Sequence, residues 1–504
     1  MSDGLSAPLV CPVLVGRDQA LADIARDIED SSRPRTILIS GEAGVGKSRL
    51  LREVVLRAAE AGWRTTAASF FERDAESPYS GLRRLLAEGQ DVGRRQMPLS
   101  PVEAIGAALG LEGENMQPGG EADRAQLAAR IAEALLARTG SQASVFILED
   151  LHWADDASLD ALLVVARMIR DRTILALTYR SEEISPALDA FLANLERERI
   201  ASETKLRRLS LSEVDRMVKT IAGTRRAIRA DVLHRLFMLS DGNPFLVEEF
   251  LRSMLDKVGD IDPPGGRDLE SLDIPRGVGE AVRRRTARLS PAAGRLLNVA
   301  AVAGTRFDFD LLGRLSGSDE AELVLQLKEL IAAGLITEEA PDQFVFRHAL
   351  TREAIRSGML AREERQLSAQ IARTIEEVHA QRLEAHVEDL AWHYFVAGDA
   401  GKAVHYGQLA GERALKLFSP AVAIEHLARA IDAGGPSGDV RLGELHRLRG
   451  AAYEAIGEFD AARRDVEIAA EDSDPWVRWR ALLQLGLLWA SRDYSRSEPY
   501  YLAA

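Results

Sequence analysis

The sequence predicts an α/β domain with a mainly parallel sheet covered by helices on both faces, followed by a long helical half. Three observations carry this reading. Short apolar or β-branched runs alternate with helix-patterned stretches from Thr36 to about Leu209, the pattern that builds a parallel sheet from βαβ units. From about Ser210 those runs give way to helical patterning. Beyond Ala361 one phrase recurs, in His393–Ala403, Ala452–Ala462 and Leu487–Ser497, the last two copies about 35 residues apart, near the period of tetratricopeptide helical hairpins.

The elements follow in order. Residues 1–12 read as a loose leader, and Val13–Asp30 begins extended and turns helical. TILIS (Thr36–Ser40) is the first buried strand, Lys47–Ala61 a helix and Arg64–Phe71 a second strand. Residues 74–121 contain Pro and Gly and read as variable. Helix Asp123–Arg138, strand Ser144–Asp150, helix Ala157–Arg170 and strand Thr173–Arg180 come next, with Lys205–Leu211 expected as the last strand. Ser210 and Glu213 have the spacing of a capping box that opens a helix. Helices fill most of 212–256, and the hydrophilic Ile261–Asp268 reads as a linker. Ser290 caps a buried helix with Pro291 at its first position. A second helix spans Asp319–Ile336, and EEAPDQFVFRHA reads as a β-hairpin, so that helix–helix–hairpin gives the pattern of a winged helix. The final SEPYYLAA stops about halfway through the second helix of the last repeat. A helical solenoid needs a polar cap, and Tyr500, Tyr501 and Leu502 look like a docking face, so the sequence is expected to be part of a longer protein.

Composition narrows the function classes. A length of 504 residues allows three or four domains. A hydrophobic content of 46% and a charged content of 28% are ordinary for a soluble globular protein. A net charge of −14 argues against sequence-independent nucleic-acid binding, a local basic patch aside. Cys11 is the single cysteine, which excludes an intramolecular disulfide framework and a cysteine zinc site and fits a reducing cytoplasm. The N-terminus has no basic region before an apolar one, and no apolar run has the length of a membrane span, so no membrane partner is expected.

The chemistry is concentrated in GEAGVGKS, Gly41–Ser48, set between the TILIS strand and a helix. The pattern G-x-x-x-x-G-K-[ST] in a strand–loop–helix context makes a phosphate cradle: main-chain N–H groups point inward and the helix dipole favours an anion. Gly41, Gly44 and Gly46 let the chain wrap closely. Lys47 supplies a point charge for β- and γ-phosphates, and the Ser48 hydroxyl is a hard oxygen ligand for Mg²⁺. The binding stretch is therefore Gly41, Glu42, Ala43, Gly44, Val45, Gly46, Lys47, Ser48 and Arg49.

VFILEDLHWAD, Val145–Asp155, is the second motif. Four apolar residues make a buried parallel strand, and acids stand at its C-terminal end, where ligands of open α/β sheets sit. A magnesium–phosphate site needs a carboxylate for the ion's water shell, and hydrolysis needs one to orient the attacking water. Glu149 and Asp150 can divide these tasks, since adjacent strand residues diverge. By strand position Glu149 is the metal-side acid and Asp150 the water-side acid. The usual order is Asp first and Glu second, so the assignment stays open.

With these motifs, LEDLHWADDASLDAL and the earlier GRDQAL, the chain resembles the signal-transduction ATPases with numerous domains (STAND), switch relatives of the AAA+ ATPases. Within them it is most similar to the ATPase half of large LuxR-type bacterial regulators and to ATPases fused to class III nucleotide cyclases. The resemblance covers about residues 13–360 well and the helical tail more loosely. It implies that Gly16 and Arg17 are the entry motif near adenine and ribose, and that Trp153 and Asp155 belong to the family's HWAD signature. It implies Arg180 as the sensor arginine facing the γ-phosphate. GNPFLVEEF, Gly242–Phe250, matches the glycine-x-proline motif of the helical lid, with Pro244 packing on adenine. His348, ending the wing strand, corresponds to a histidine that touches the β-phosphate of bound ADP, although the wider triplet here is Arg347-His348-Ala349. The resemblance gives these units: leader 1–12, P-loop ATPase core 13–209, helical lid 210–260, winged-helix-like domain 270–358 and tetratricopeptide-like array 361–504.

The expected function is an ATP-binding and slowly hydrolysing switch that uses ATP/ADP and Mg²⁺, within a LuxR-type transcriptional regulator. A protein or small-molecule inducer would bind the helical repeats, ATP could drive homo-oligomerisation as in relatives, and this segment would not itself bind DNA. Two other readings stand beside it: a nucleotide-cyclase-associated module whose catalytic domain lies outside this chain, and a nucleotide-locked protein-interaction scaffold.

Overall fold

The computed structural model describes residues 11–29, 34–87, 121–139, 142–170, 172–223, 228–258, 278–381, 383–435, 442–490 and 492–504. The linker Ile261–Asp268, most of the variable stretch 74–121 and the leader up to residue 10 lie outside them.

Five parallel strands make the central sheet: β1 (Thr36–Ser40), β2 (Arg64–Ser69), β3 (Ser144–Glu149), β4 (Thr173–Tyr179) and β5 (Ala201–Lys205). Their spatial order is β2-β3-β4-β1-β5. The three inner strands β3, β4 and β1 are buried on both faces, which is why they read as continuous apolar runs. Alternate residues feed two cores. Phe146, Leu148, Leu175 and Leu177 face one cluster. Ile37, Ile39, Val145 and Ile174 face another, with Leu50 and Val54 of the helix Lys47–Glu60.

The last strand is not where the sequence placed it. Of the expected Lys205–Leu211 only Lys205 lies in the sheet, and the strand is Ala201–Lys205, with the sequence ASETK. An edge strand that is only half buried needs no apolar run, whereas Leu206 and Leu209 are buried because they pack over the sheet's end. Leu206 N donates to Ser40 O at 2.8 Å. β2 likewise ends at Ser69 rather than Phe71. Phe70 N donates to Glu149 O at 2.8 Å, and the chain then turns into a short 3₁₀ segment, Glu72–Glu76.

Three helices follow, Leu211–Ala222, Ala230–Ser240 and Pro244–Val258, around a core of Val214, Leu236, Val247 and Phe250. The capping box forms as expected, Ser210 N donating to Glu213 Oε2 at 2.7 Å. Cys11 is buried in this core, and its N–H donates to Glu248 Oε1 at 3.0 Å. The end of the leader is therefore packed rather than loose, because an apolar thiol and Val15 complete the helical core.

Beyond residue 278 the helices Pro291–Ala303, Phe309–Ser316 and Glu320–Ala332 precede a hairpin of β7 (Ile336–Ala340) and β8 (Gln343–Phe346). Ser290 caps its helix, accepting from Ala293 N at 3.2 Å. The second expected helix stops at Ala332, and Ile336 begins β7 after the turn at Gly334. A third strand, β6 (Arg306–Asp308), pairs with β8 in an antiparallel sheet ordered β6-β8-β7. At three residues β6 is too short to show a period in sequence.

From Ala361 to Ala503 helices pack each on the next in the manner of tetratricopeptide repeats. Their seams are tight. A Cβ on Gly407 would lie 2.7 Å from Ala430 Cβ, one on Gly411 2.5 Å from Leu427, one on Gly450 2.5 Å from Val466 and one on Gly486 2.5 Å from the Tyr501 ring. The array folds back on the sheet domain, where Leu417 is buried in the sheet's own core. The 3₁₀ segment is the hub of that contact. Arg429 grips Glu76, His426 Nε2 lies 2.8 Å from Glu76 O, and Arg73 Nη1 lies 3.0 Å from His393 Nε2. From the winged-helix side, Arg352 pairs with Glu72.

Candidate functional site

The loop between β1 and the helix Lys47–Glu60 has the geometry its glycines imply. Gly46, the residue before the helix, has φ +105, which side-chain-bearing residues rarely adopt. At Gly44 the neighbours are close: a Cβ would lie 2.9 Å from Asn243 Oδ1.

Lys47 is buried inside the loop, with Nζ donating to Gly41 O at 2.7 Å and Glu42 O at 2.9 Å. Burial lowers its ammonium pKa, and Asp150 opposes this. Among the described residues no carboxylate lies within ion-pair distance of Lys47. A buried ammonium held only by carbonyls, in a loop of main-chain N–H groups at a helix N-terminus, fits an anionic phosphate. The Ser48 hydroxyl and the Glu149 carboxylate both line the same cleft. Burial raises the Glu149 carboxyl, and the Ser48 hydroxyl near it opposes that shift. These two hard oxygens suit Mg²⁺. Among the described residues no group of three His, Cys, Asp or Glu side chains forms a metal cage, so the ion's shell would be completed by phosphate and water.

Glu149 closes β3, and Asp150 follows with φ 60 and ψ 48, left-handed for a non-glycine residue. Its N–H donates to Thr178 Oγ1 of β4 at 3.0 Å. The two acids therefore diverge. Burial raises the Asp150 carboxyl, while Arg180 and Lys47 oppose that shift. Arg180, directly after β4, is buried and donates to Glu183 Oε1 at 2.6 Å. His152 is buried with Nδ1 3.9 Å from Asp150 Oδ1 and Nε2 3.6 Å from Glu183 Oε2. Burial, with Arg180 and Lys47, holds this imidazole neutral.

A cleft of about 920 Å³ gathers these groups. It takes in Arg17, Ala43 to Arg49, Glu149, Asp150, Arg180, Pro244 and His348, whereas Gly16, Gly41 and Glu42 stand outside its lining. Gly16 has φ +70, and Arg17 braces the loop through a 2.9 Å bond from Nη2 to Val45 O. Glu42 is paired with Arg208. Arg49 donates to Val13 O at 3.1 Å and lies 3.7 Å from Glu248. Pro244 opens its helix, and the next residue, Phe245, packs on His348 with ring centres 4.5 Å apart and planes tilted by 59°. Burial lowers the His348 pKa to about 3, with Arg347, Arg285, Arg252 and Arg52 adding to the effect. Trp153 lines the cleft. Asp155 instead serves the fold, accepting from Ser158 N at 3.0 Å and Tyr79 N at 3.1 Å, with burial raising its pKa to about 6.

Sequence reading missed four residues here. Glu182 accepts the Ala43 N–H at 2.7 Å, and Asn243 Nδ2 donates to Ala43 O at 2.9 Å. Arg52 and Arg347 line the cleft. Asn243 stands beside Pro244 in the lid motif, and Arg347 beside His348. Glu182 and Arg52 carry no local pattern.

The sequence model of the AAA ATPase domain matches residues 13–177. An uncharacterised protein of Rhizobium meliloti (strain 1021) is 26% identical over 498 residues, covering 91% of this chain and 47% of that protein. The chain thus spans about half the length of this curated relative. Among solved structures, the chain is similar to a signal transduction ATPase with numerous domains carrying a tetratricopeptide repeat sensor, from Pyrococcus horikoshii. That likeness has TM-score 0.46 and 16% identity and covers 99% of this chain and 71% of that one. It is also similar to the Walker-type ATPase of Pyrococcus abyssi, with TM-score 0.33 and 16% identity, over 68% of this chain and 96% of that one. With the phosphate loop, the two strand-end acids and the matched domain in place, residues 13–177 are an AAA ATPase domain of the P-loop kind.

Proposed function

We propose that the chain is a STAND-type signal-transduction switch, in which the nucleotide state of the cleft is coupled to the position of the winged-helix-like unit and the helical array. One observation carries this reading. Glu149 accepts the Phe70 N–H through its carbonyl, and a few residues on, the Glu72–Glu76 segment is held by Arg352 from one unit and by Arg429 from the other. The acid of the cleft and the array therefore share one short stretch of chain.

In this reading Lys47 and the loop N–H groups hold the β- and γ-phosphates, and Ser48 and Glu149 orient the ion. Mg²⁺ bound with the nucleotide neutralises phosphate charge. Asp150, set on a left-handed backbone directly after β3, orients water. Arg180 exchanges Glu183 for the γ-phosphate, Pro244 lies against the base, and His348 donates a hydrogen bond to the β-phosphate. Gly16 and Arg17 stand near adenine and ribose. Turnover is slow, because the cleft is enclosed by units that must move. The array binds a protein or small-molecule inducer, ATP promotes self-assembly, and the protein works in the cytoplasm within a LuxR-type regulator.

The test is nucleotide binding and phosphate release by the purified chain. Asp150→Asn should keep Mg-ATP affinity and lose turnover by about a hundredfold. Lys47→Ala should lose affinity for both nucleotides. Wild-type binding in Lys47→Ala would end the phosphate-loop reading, and wild-type turnover in Asp150→Asn would remove Asp150 from the water.

A further inference from the structure

Between the helix Lys47–Glu60 and the winged-helix-like unit the cleft wall is crowded with guanidinium groups. Three have partners. Arg49 lies 3.7 Å from Glu248, Arg285 pairs with Glu249, and Arg252 Nη1 donates to Ala333 O at 3.4 Å. Two others, Arg52 and Arg347, line the cleft and have no hydrogen bond or ion pair from their side chains among the described residues. Arg52 lies one helical turn beyond Ser48. Arg347 directly follows β8 and precedes His348, the N-cap of the helix Ala349–Arg356. It packs near the turn at Gly334, where a Cβ would lie 3.5 Å from Arg347 Nη1 and 2.7 Å from Arg252 Nη1.

Like charges placed on facing walls repel, and partial burial of Arg347 strengthens the repulsion. Of the acids near by, Glu248 holds Arg49 and the Cys11 N–H, and Glu249 holds Arg285, while Glu149 lies near enough to Arg52 for that charge to lower its carboxyl pKa. His348 is held neutral by burial and by the arginines around it, and adds no charge. What remains is a two-armed cationic site on the rim of the phosphate cleft, made from the planar forks that suit phosphate oxygens.

Resting on the nucleotide reading above, we infer that Arg52 and Arg347 form an anion subsite that takes a phosphate group across the cleft, tying the winged-helix-like unit to the P-loop helix. Two sources share that chemistry: the terminal phosphate of the bound nucleotide, and inorganic phosphate held after hydrolysis.

Calorimetric titration of the full chain decides this. Mg-ADP and Mg-ATPγS are titrated into wild type, Arg52→Ala, Arg347→Ala, Arg347→Lys and Lys47→Ala. Inorganic phosphate is titrated into each with and without ADP. If the nucleotide supplies the group, Arg52→Ala and Arg347→Ala each weaken Mg-ATPγS at least tenfold more than Mg-ADP. If free phosphate does, it binds the ADP-loaded wild type and is lost from both alanine variants. Arg347→Lys, which keeps the charge without the fork, should lie between. Wild-type affinities for all three ligands in both alanine variants, with Lys47→Ala inactive in binding, would overturn the subsite. Should Arg347→Ala fail to fold, Arg52→Ala, at an exposed position, decides the question in its place. If Lys47→Ala binds nucleotide normally, the nucleotide reading fails by itself, and the phosphate titration without ADP still decides the subsite.

Discussion

Glu76 and Arg429, 353 positions apart in the chain, form a two-pronged ion pair, with Nη1–Oε2 at 2.7 Å and Nη2–Oε1 at 2.8 Å. Both side chains are mostly buried, at 13% and 17% exposure, so the pair escapes much of the solvent screening that weakens surface pairs. A double-mutant cycle with Glu76→Ala and Arg429→Ala should give a coupling energy of about 1–3 kcal/mol in urea unfolding. The single variants should also release fluorescent ADP several times faster. Release at the wild-type rate would disconnect the array from the cleft.

Glu149→Gln should remove the magnesium dependence of nucleotide binding while leaving metal-free binding intact, because Ser48 alone keeps only one of the two hard oxygens. Titration of ADP with and without Mg²⁺ checks this. If Asp150→Asn rather than Glu149→Gln abolished the dependence, the two acids would exchange roles.

Gly242 and Gly62 make a matched pair. Both have positive φ, +70 and +77, but a Cβ on Gly242 would lie 2.1 Å from Leu209 O, while one on Gly62 meets nothing within 4 Å. Gly62→Ala should cost about 1 kcal/mol, the strain of a left-handed alanine. Gly242→Ala should cost at least about 3 kcal/mol, since the Leu209 backbone must also move. Equal losses in urea titrations would mean that the lid helices shift freely from the sheet.

His393 is fully buried, and its Nε2 lies 3.0 Å from Arg73 Nη1. Burial first, and Arg73 next, keep its pKa well below the ordinary value of 6.5. The folded chain therefore binds fewer protons than the unfolded one below pH 6.5. The associated stability is present above that pH and is lost as pH falls toward the depressed folded value, by at most about 1.4 kcal/mol per pH unit. Asp155 has the opposite sign: its raised pKa of about 6 restores stability as pH falls from 6 toward 4. His393→Gln, which keeps an acceptor for Arg73, should flatten the loss between pH 7 and pH 5. An unchanged slope in urea titrations at those two values would show that His393 does not titrate on unfolding.

Legibility followed burial and period. The inner strands, the phosphate loop and Ser290 were readable because each carries its cause locally: two buried faces, glycines with positive φ, a hydroxyl at a helix start. β5 and β6 were not, one because an edge needs little apolar content and the other because three residues show no alternation. In the site, Lys47, Ser48, Glu149 and Asp150 lie within two short motifs, so sequence brought them together. Arg52 and Arg347 meet the same cleft only through the packing of distant units, and Arg17 serves the loop's carbonyl at Val45 in a way no spacing announces.

The glycine seams of the array have a mechanical consequence. With Gly407, Gly411, Gly450 and Gly486 pressed against neighbouring side chains at distances that admit no added methyl, adjacent helices cannot slide without collision. Each seam keys one helix to the next, so a displacement of one partner must be answered by the other, and the keyed row reaches the sheet where Leu417 enters its core.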